Sequence, residues 1–230
     1  MRRGPPRDLL AKLWGGPPEL TLGGVVLTVN GDGALVERRL AGGELACPGC
    51  GGVLGGWGHA RPRPVRVLDR PDAGLVPRRS RCRQCGATHV LLPAWCLSRR
   101  ADAGAVIGTA LEAAAAGAGH RTIAAGLGRP ASTVRGWLRA FTRRAEQVRL
   151  VFTALAASVV TDPPLPAPAG SPVADAVAAV AAAAAAAGRV PGVGTVARWQ
   201  LAAAVTCGLL LAPAWPPRVA NTSWLWAAPR

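Results

Sequence analysis

Cys47-Pro48-Gly49-Cys50-Gly51 and Cys82-Arg83-Gln84-Cys85-Gly86 repeat one pattern, Cys-x-x-Cys-Gly, with 31 residues between Cys50 and Cys82. Four thiolates in two close pairs match the ligand number and spacing of a closed tetrahedral metal site. The glycine after each second cysteine permits the turn that points backbone amides at sulfur. A structural zinc ion held by Cys47, Cys50, Cys82 and Cys85 is therefore expected. With four cysteines in the shell no position is left open for water or substrate, so a catalytic zinc is not expected. The segment around the pairs is too small to fold on hydrophobic burial alone, and metal binding has to supply the missing folding free energy.

The same sulfurs suit iron, and the knuckles resemble those of rubredoxins. That resemblance implies electron transfer, but rubredoxins are typically acidic and aromatic-rich. Here residues 61 to 83 carry eight arginines against Asp69 and Asp72, which leaves a rubredoxin-like electron carrier as a minor alternative. Cys96 and Cys207 are single and read as small buried hydrophobes. His59 and His89 lie near the pairs in sequence, but the shell is already full, and they read as packing or surface residues. Arg2 and Arg3 are followed by Pro5, Pro6, Pro17 and Pro18, and the apolar run from Leu20 to Val29 is short and lacks a cleavage site. No secretory signal is expected, which places the cysteines in a reducing cytoplasm, where close pairs hold metal rather than form disulfides.

Charge is concentrated in the first two thirds of the chain. Residues 1 to 150 have a net charge of +13 and residues 151 to 230 only +2. Lys12 is the only lysine, tyrosine is absent, and alanine, glycine, proline and arginine dominate, the usage of a GC-rich genome. Codon bias of that kind exchanges lysine for arginine without removing carboxylates, so the positive excess still points to a polyanionic partner.

The chain divides by composition into an α+β arrangement: a small β zinc ribbon, an all-α helix-turn-helix domain and a C-terminal Ala-rich helical region. Residues 1 to 24 are punctuated by glycine and proline and are expected to be poorly ordered. Residues 25 to 97 hold the ribbon and a short lead-in. In the lead-in, Val25 to Val29 reads as a strand, and Asp32 caps a helix that brings Val36 and Leu40 onto one face before Gly42-Gly43 ends it. Ribbon strands are expected at Val53 to His59, Val65 to Leu68, the approach to Cys82, and Thr88 to Leu92.

Residues 98 to 150 show helical periodicity. Asp102 is expected to cap a first helix that Gly117-Ala118-Gly119 stops, and a second helix runs from about Arg121 to Leu127. A third, capped by Ser132, carries Val134, Trp137, Leu138 and Phe141. Five prolines in residues 161 to 172 read as a linker. Residues 173 to 230 follow, with an alanine helix at Val173 to Ala187, a more apolar helix at Thr195 to Leu211, and a Pro- and Trp-rich tail to which no chemistry is assigned. The uncharged run from Trp199 to Trp215 sits at the lower limit for a membrane span, is rich in small residues and contains Pro213, so a buried helix is expected there.

Two clusters carry the functional reading. Arg79, Arg81 and Arg83 alternate along the strand entering the second knuckle, so they share a face and suit a phosphate backbone. Across His120 to Arg139, Ile123, Ala124, Leu127, Gly128, Val134 and Trp137 fall where two helices packed through a tight turn need them. The other face of the third helix presents Ser132, Thr133, Arg135, Gly136 and Arg139, extended by Arg143 and Arg144. Arg135 or Arg139 suits guanine O6/N7, Thr133 a base edge or phosphate, and Gly136 a close backbone approach, so double-stranded DNA is the expected partner.

The stretch Ala87-Thr-His-Val-Leu-Leu-Pro-Ala-Trp-Cys-Leu, followed by the run Gly117 to Arg139, is similar to uncharacterised zinc-ribbon plus helix-turn-helix proteins of high-GC bacteria. It also resembles the DNA-binding N-terminal part of insertion-sequence transposases. The resemblance covers under half the chain. It implies sequence-specific DNA binding in transposition or regulation, with a transposase or a second copy of the chain as protein partner. A transposase of that kind needs three carboxylates converging on two divalent ions. After Phe141 only Glu146, Asp162 and Asp175 remain, so no enzyme is expected and a transposase fragment lacking its catalytic core ranks low. The other class in play is a protein- or membrane-interaction protein whose basic face is incidental.

Overall fold

The computed structural model describes residues 26–68, 71–163 and 165–213. The expectations for residues 1 to 24, for Val25 and for the tail beyond Pro213 lie outside these residues. Six strands and seven helices are present among the described residues, an α+β architecture. In chain order they are β1 (Val26–Val29), α1 (Gly33–Ala41), β2 (Leu54–His59), β3 (Arg63–Val65), β4 (Ala73–Leu75), β5 (Arg78–Cys82) and β6 (Thr88–Pro93). There follow α2 (Gly104–Ala115), α3 (His120–Leu127), α4 (Ala131–Thr142), α5 (Ala145–Val159), α6 (Pro172–Gly188) and α7 (Arg198–Val205).

The main sheet runs β1-β6-β5-β2. β2, β5 and β6 pair antiparallel in sequence, and β1 joins β6 in parallel, with Val26 opposite Val90 and Val29 opposite Pro93. The lead-in is thus part of the sheet itself. Asp32 caps α1 as the sequence implies, its side chain accepting from the Ala34 amide. Val36 and Leu40 of α1 pack with Leu27, Val29, Leu45, Cys47, Leu54, Cys82 and Leu91 in a small core beneath one face of the sheet.

β3 and β4 form a separate hairpin shorter than the strand expected at Val65 to Leu68, with Val65 opposite Ala73. Beyond Val65 the chain leaves β4: the Arg66 amide donates to the Ala101 carbonyl, and the Arg66 carbonyl accepts from the Ala103 amide. Val65 and Leu75 are buried in a second, larger core built mostly by α2 to α7. The hairpin therefore covers the helices with apolar side chains that belong, in sequence, between the knuckles.

Two expected helix caps are corrected. Asp102 does not cap α2, which starts at Gly104 after Ala103 with no side-chain cap bond. Its carboxylate, 3 % exposed, instead accepts Arg66 through both oxygens, at 3.0 and 2.7 Å, and Arg129 Nε at 2.6 Å. Ser132 does not cap α4 either. Pro130 occupies the cap position, and its carbonyl accepts from the Thr133 and Val134 amides, so the helix starts one residue before Ser132.

α3 and α4 meet as the spacing implies. Ile123, Ala124, Val134, Trp137, Ala140 and Phe141 are buried, and Gly128 takes the left-handed conformation (φ 59°) between the two helices. α5 runs through residue 150, and residues 151 to 159, to which the sequence assigned no element, complete it. The proline-rich stretch then leads to α6, which Ser171 caps. Val148, Phe152, Leu155 and Ala156 of α5 share the larger core with Ala176, Val180, Ala183 and Ala187 of α6. Alanine lets the helix axes approach closely, so α6 contributes small side chains to close packing.

The apolar helix expected at Thr195 to Leu211 is shorter, ending at Val205. Cys207 (φ 50°) and Gly208 (φ 72°) turn the chain, and the Gly208 carbonyl accepts the Ser98 amide. Among the described residues no helix is long and apolar enough to cross a membrane. Trp199 of α7 instead lies against Gly108 of α2, and its indole N–H donates to Glu112 Oε1 at 2.8 Å, beside Arg198 at 3.2 Å.

Three substitutions test this packing. In an open helix interior Gly→Ala stabilises by up to about 1 kcal/mol, and Gly136→Ala in α4, where a Cβ meets nothing, should do so. Gly108→Ala drives a methyl into the Trp199 ring and should destabilise by about 1–3 kcal/mol, an opposite sign in the same denaturant titration. Asp102→Ala strands Arg129, whose side chain is 15 % exposed, and should lower unfolding free energy by about 3 kcal/mol. A loss below about 1 kcal/mol, the range of exposed pairs, would contradict a buried linking role for Asp102.

Candidate metal centre

The two knuckles are built alike. In the first, the Cys47 amide donates to the Gly52 carbonyl and the Gly51 amide to the Cys47 carbonyl, with Gly51 at φ 72°. In the second, the Cys82 amide donates to Ala87 and the Gly86 amide to Cys82, with Gly86 at φ 74°. Both glycines occupy the region that L side chains rarely adopt, so the glycine of each Cys-x-x-Cys-Gly motif is a steric requirement. The antiparallel register places Leu54, just past the first knuckle, opposite Cys82. That pairing brings the two motifs together.

The four Sγ atoms lie within 4.8 Å of one another. Cys50 and Cys82 are 3.5 Å apart, and Cys47 and Cys85 3.7 Å. Sulfurs placed about 2.3 Å from a central ion form a tetrahedron with edges of about 3.8 Å, so this donor set fits a four-coordinate metal. Each knuckle gives one buried thiol, Cys47 or Cys82, and one exposed, Cys50 or Cys85. The arrangement can hold a metal, and sulfur in this geometry accommodates zinc or iron.

Backbone amides prepare the sulfurs. The Cys85 and Gln84 amides both lie 3.4 Å from Cys82 Sγ. These amides, the Cys85 amide first, together with the neighbouring Cys50 and Cys85 thiols, lower the Cys82 pKa to about 6 against the opposing effect of burial. At Cys50 the Gly52 amide acts in the lowering direction, but the neighbouring Cys82, Cys85 and Cys47 thiols together with burial raise the pKa to about 12. Bound metal replaces this proton sharing, because every ligand must be a thiolate. Cys96 and Cys207 are buried apart from the cluster, and burial pushes both up to about 12, consistent with small hydrophobes.

One neighbour was undervalued in the sequence. His89 is buried on β6, with Nε2 3.5 Å from Cys47 Sγ. Its Nδ1 has no hydrogen-bond partner among the described residues. The ring is placed to donate Nε2–H to the Cys47 thiolate as an outer-sphere hydrogen bond. His59 is exposed at the far end of β2, opposite Arg78. No sequence spacing separates the two histidines; the strand register does.

The candidate nucleic-acid residues are gathered on two elements. On α4, Ser132, Arg135, Gly136, Arg139 and, just past its end, Arg143 are exposed, while Thr133 is half-buried. Arg135, Arg139 and Arg143 line a shallow cleft with Leu138, Thr142 and His120, the first residue of α3, which the sequence reading did not single out. Arg144 is a correction: it turns inward, donating Nη1 to the Ala140 carbonyl at 2.7 Å, and burial lowers its pKa. On β5, Arg81 and, just beyond it, Arg83 are exposed and Arg79 is half-buried, on the face opposite buried Ser80 and Cys82. Arg81 lies over Trp57, 4.8 Å from the ring centroid.

Comparison of the chain with protein-family profiles, curated proteins and solved structures returns no match.

For the metal centre, Cys82→Ser should abolish stoichiometric metal binding in elemental analysis. His89→Leu should retain the four-sulfur spectrum of the cobalt-substituted protein while weakening metal affinity by about 10–100-fold in chelator competition, the usual effect of losing an outer-sphere bond.

Proposed function

We propose that the chain is a sequence-specific DNA-binding protein in which a structural zinc ribbon supports a helix-turn-helix. The observation that carries this reading is α4 itself. Val134, Trp137, Ala140 and Phe141 bury one face completely, while Arg135, Arg139 and Arg143, each four residues from the next, line the other. A helix fixed by its apolar face, with guanidinium groups and the bare Gly136 outward, suits entry into a major groove. Arg79, Arg81 and Arg83 of the ribbon supply further phosphate contacts.

Zinc is the metal of this reading, held by Cys47, Cys50, Cys82 and Cys85, and its contribution is folding free energy. The protein acts in the cytoplasm, in transposition or in transcriptional control, with a transposase or a second copy of the chain as protein partner. No catalytic step is assigned. Glu146 is paired with Arg149, and Asp175 accepts the Ala169 amide.

The test is a mobility-shift titration against a library-selected duplex at several salt concentrations. Arg135→Ala and Arg139→Ala should each weaken specific binding by about 5–150-fold, the range for losing a bidentate base contact. Arg143→Ala should weaken all sequences about equally and flatten the salt dependence by about one unit of slope, as for a lost phosphate contact. Unchanged affinity in Arg135→Ala and Arg139→Ala would overturn the assignment of α4.

A further inference from the structure

We propose that the exposed face of the β2–β5 pair is a stacking platform for unpaired bases of single-stranded DNA, with Trp57 as the ring that receives a base. This rests on the DNA-binding reading above and extends it from the duplex to an opened strand.

Trp57 is 49 % exposed on β2, one of the two edge strands of its sheet. Its neighbours Gly55, Gly56 and Gly58 have no side chains to cover it. The register shifts between Gly56 and His59, and Gly58 sits at φ 75°. A bulge of this kind re-aims a side chain, and here the residue within it is the tryptophan.

The ring is held rather than loose. The Arg81 guanidinium lies over it, and Arg81 is anchored by donating Nε to the Gly86 carbonyl at 3.3 Å. Gly55 stands opposite Arg81 in the register, and Arg83 reaches alongside it, so that a Cβ on Gly55 would sit 3.3 Å from Arg83 Nε. Arg79 lies on the same face one step further along β5. The carboxylate bonded at this end of the sheet, Glu37, is tied to Arg78, whose guanidinium lies against Gly56 on the opposite face.

A flat aromatic surface flanked by three guanidinium groups matches a base attached to its phosphates. Every base has a π face, so such a platform tolerates sequence, whereas duplex DNA keeps its base faces stacked on one another and offers this platform only phosphates. Charge and ring together therefore select single-stranded DNA over the duplex.

The experiment is fluorescence anisotropy with the full-length, metal-loaded protein and a labelled mixed-sequence single strand, its duplex, and the RNA of the same sequence. Trp57→Ala should weaken single-strand binding by about 5–150-fold, the effect of losing one stacked base, with metal content unchanged and duplex affinity reduced far less. Trp57→Phe should retain most of the affinity. The proposal is overturned if the wild-type protein fails to bind the single strand, if Trp57→Ala leaves that binding unchanged or weakens the duplex equally, or if RNA binds more tightly than DNA. Arg135→Ala and Arg139→Ala, measured in parallel, should weaken only the duplex, so the major-groove assignment stands or falls separately.

Discussion

Three parts of the chain meet at one carboxylate. Asp102 is buried between Arg66, which directly follows β3 within the β3–β4 hairpin, and Arg129, which follows the left-handed turn closing α3. Arg66 is also joined to residues 101 and 103 through its backbone, and Arg129 donates to the Leu127 and Gly128 carbonyls. A buried charge is tolerated only when paired and hydrogen-bonded, and here Arg66 engages both oxygens while Arg129 adds a second bond to Oδ1. The carboxylate ties the hairpin, the start of α2 and the α3–α4 turn into one body. That sets where α4 stands relative to the four cysteines.

The C-terminal helices serve the same body by a different route. α6 is rich in alanine, a composition that could reflect codon usage alone, yet Ala176, Ala183, Ala186 and Ala187 are fully buried. Each alanine buries little apolar area, so the stabilisation comes from close axis-to-axis contact over a long helix rather than from large anchors. Trp199 is the exception, a large ring seated on Gly108 and fixed at its polar end by Glu112.

The four-cysteine cluster was legible because its chemistry is local: two repeated motifs specify donor, spacing and turn within five residues each. The helices around Ala124 and Gly128 were legible for a related reason, since periodicity and a left-handed glycine are read from neighbours in sequence. The misreadings turn on competing partners, some far along the chain and some within a single turn. Asp102 looked like a cap until Arg66 and Arg129, themselves distant in sequence, took its oxygens. Ser132 lost the cap to Pro130, whose carbonyl already served the first turn. Arg144 looked like an extension of the exposed stripe, but a side chain at the end of a helix can fold back onto its own carbonyls. His89 acquired its place beside Cys47 through strand register, which no spacing rule reveals. The apolar stretch after Trp199 gave no sign that Cys207 and Gly208 would turn it.

β1 pairs in parallel with β6, so Val26 must find Val90 with both knuckles lying between them in the chain. The entropy lost in closing a loop grows with its length. An ion joining Cys47 to Cys85 would short-circuit the intervening chain, and β1 would then search from a much smaller loop. Metal uptake would thereby order assembly, the centre of the sheet before its parallel edge. The edge strand and the packing of α1 beneath it would form a late layer whose rate of closure reports on the ion.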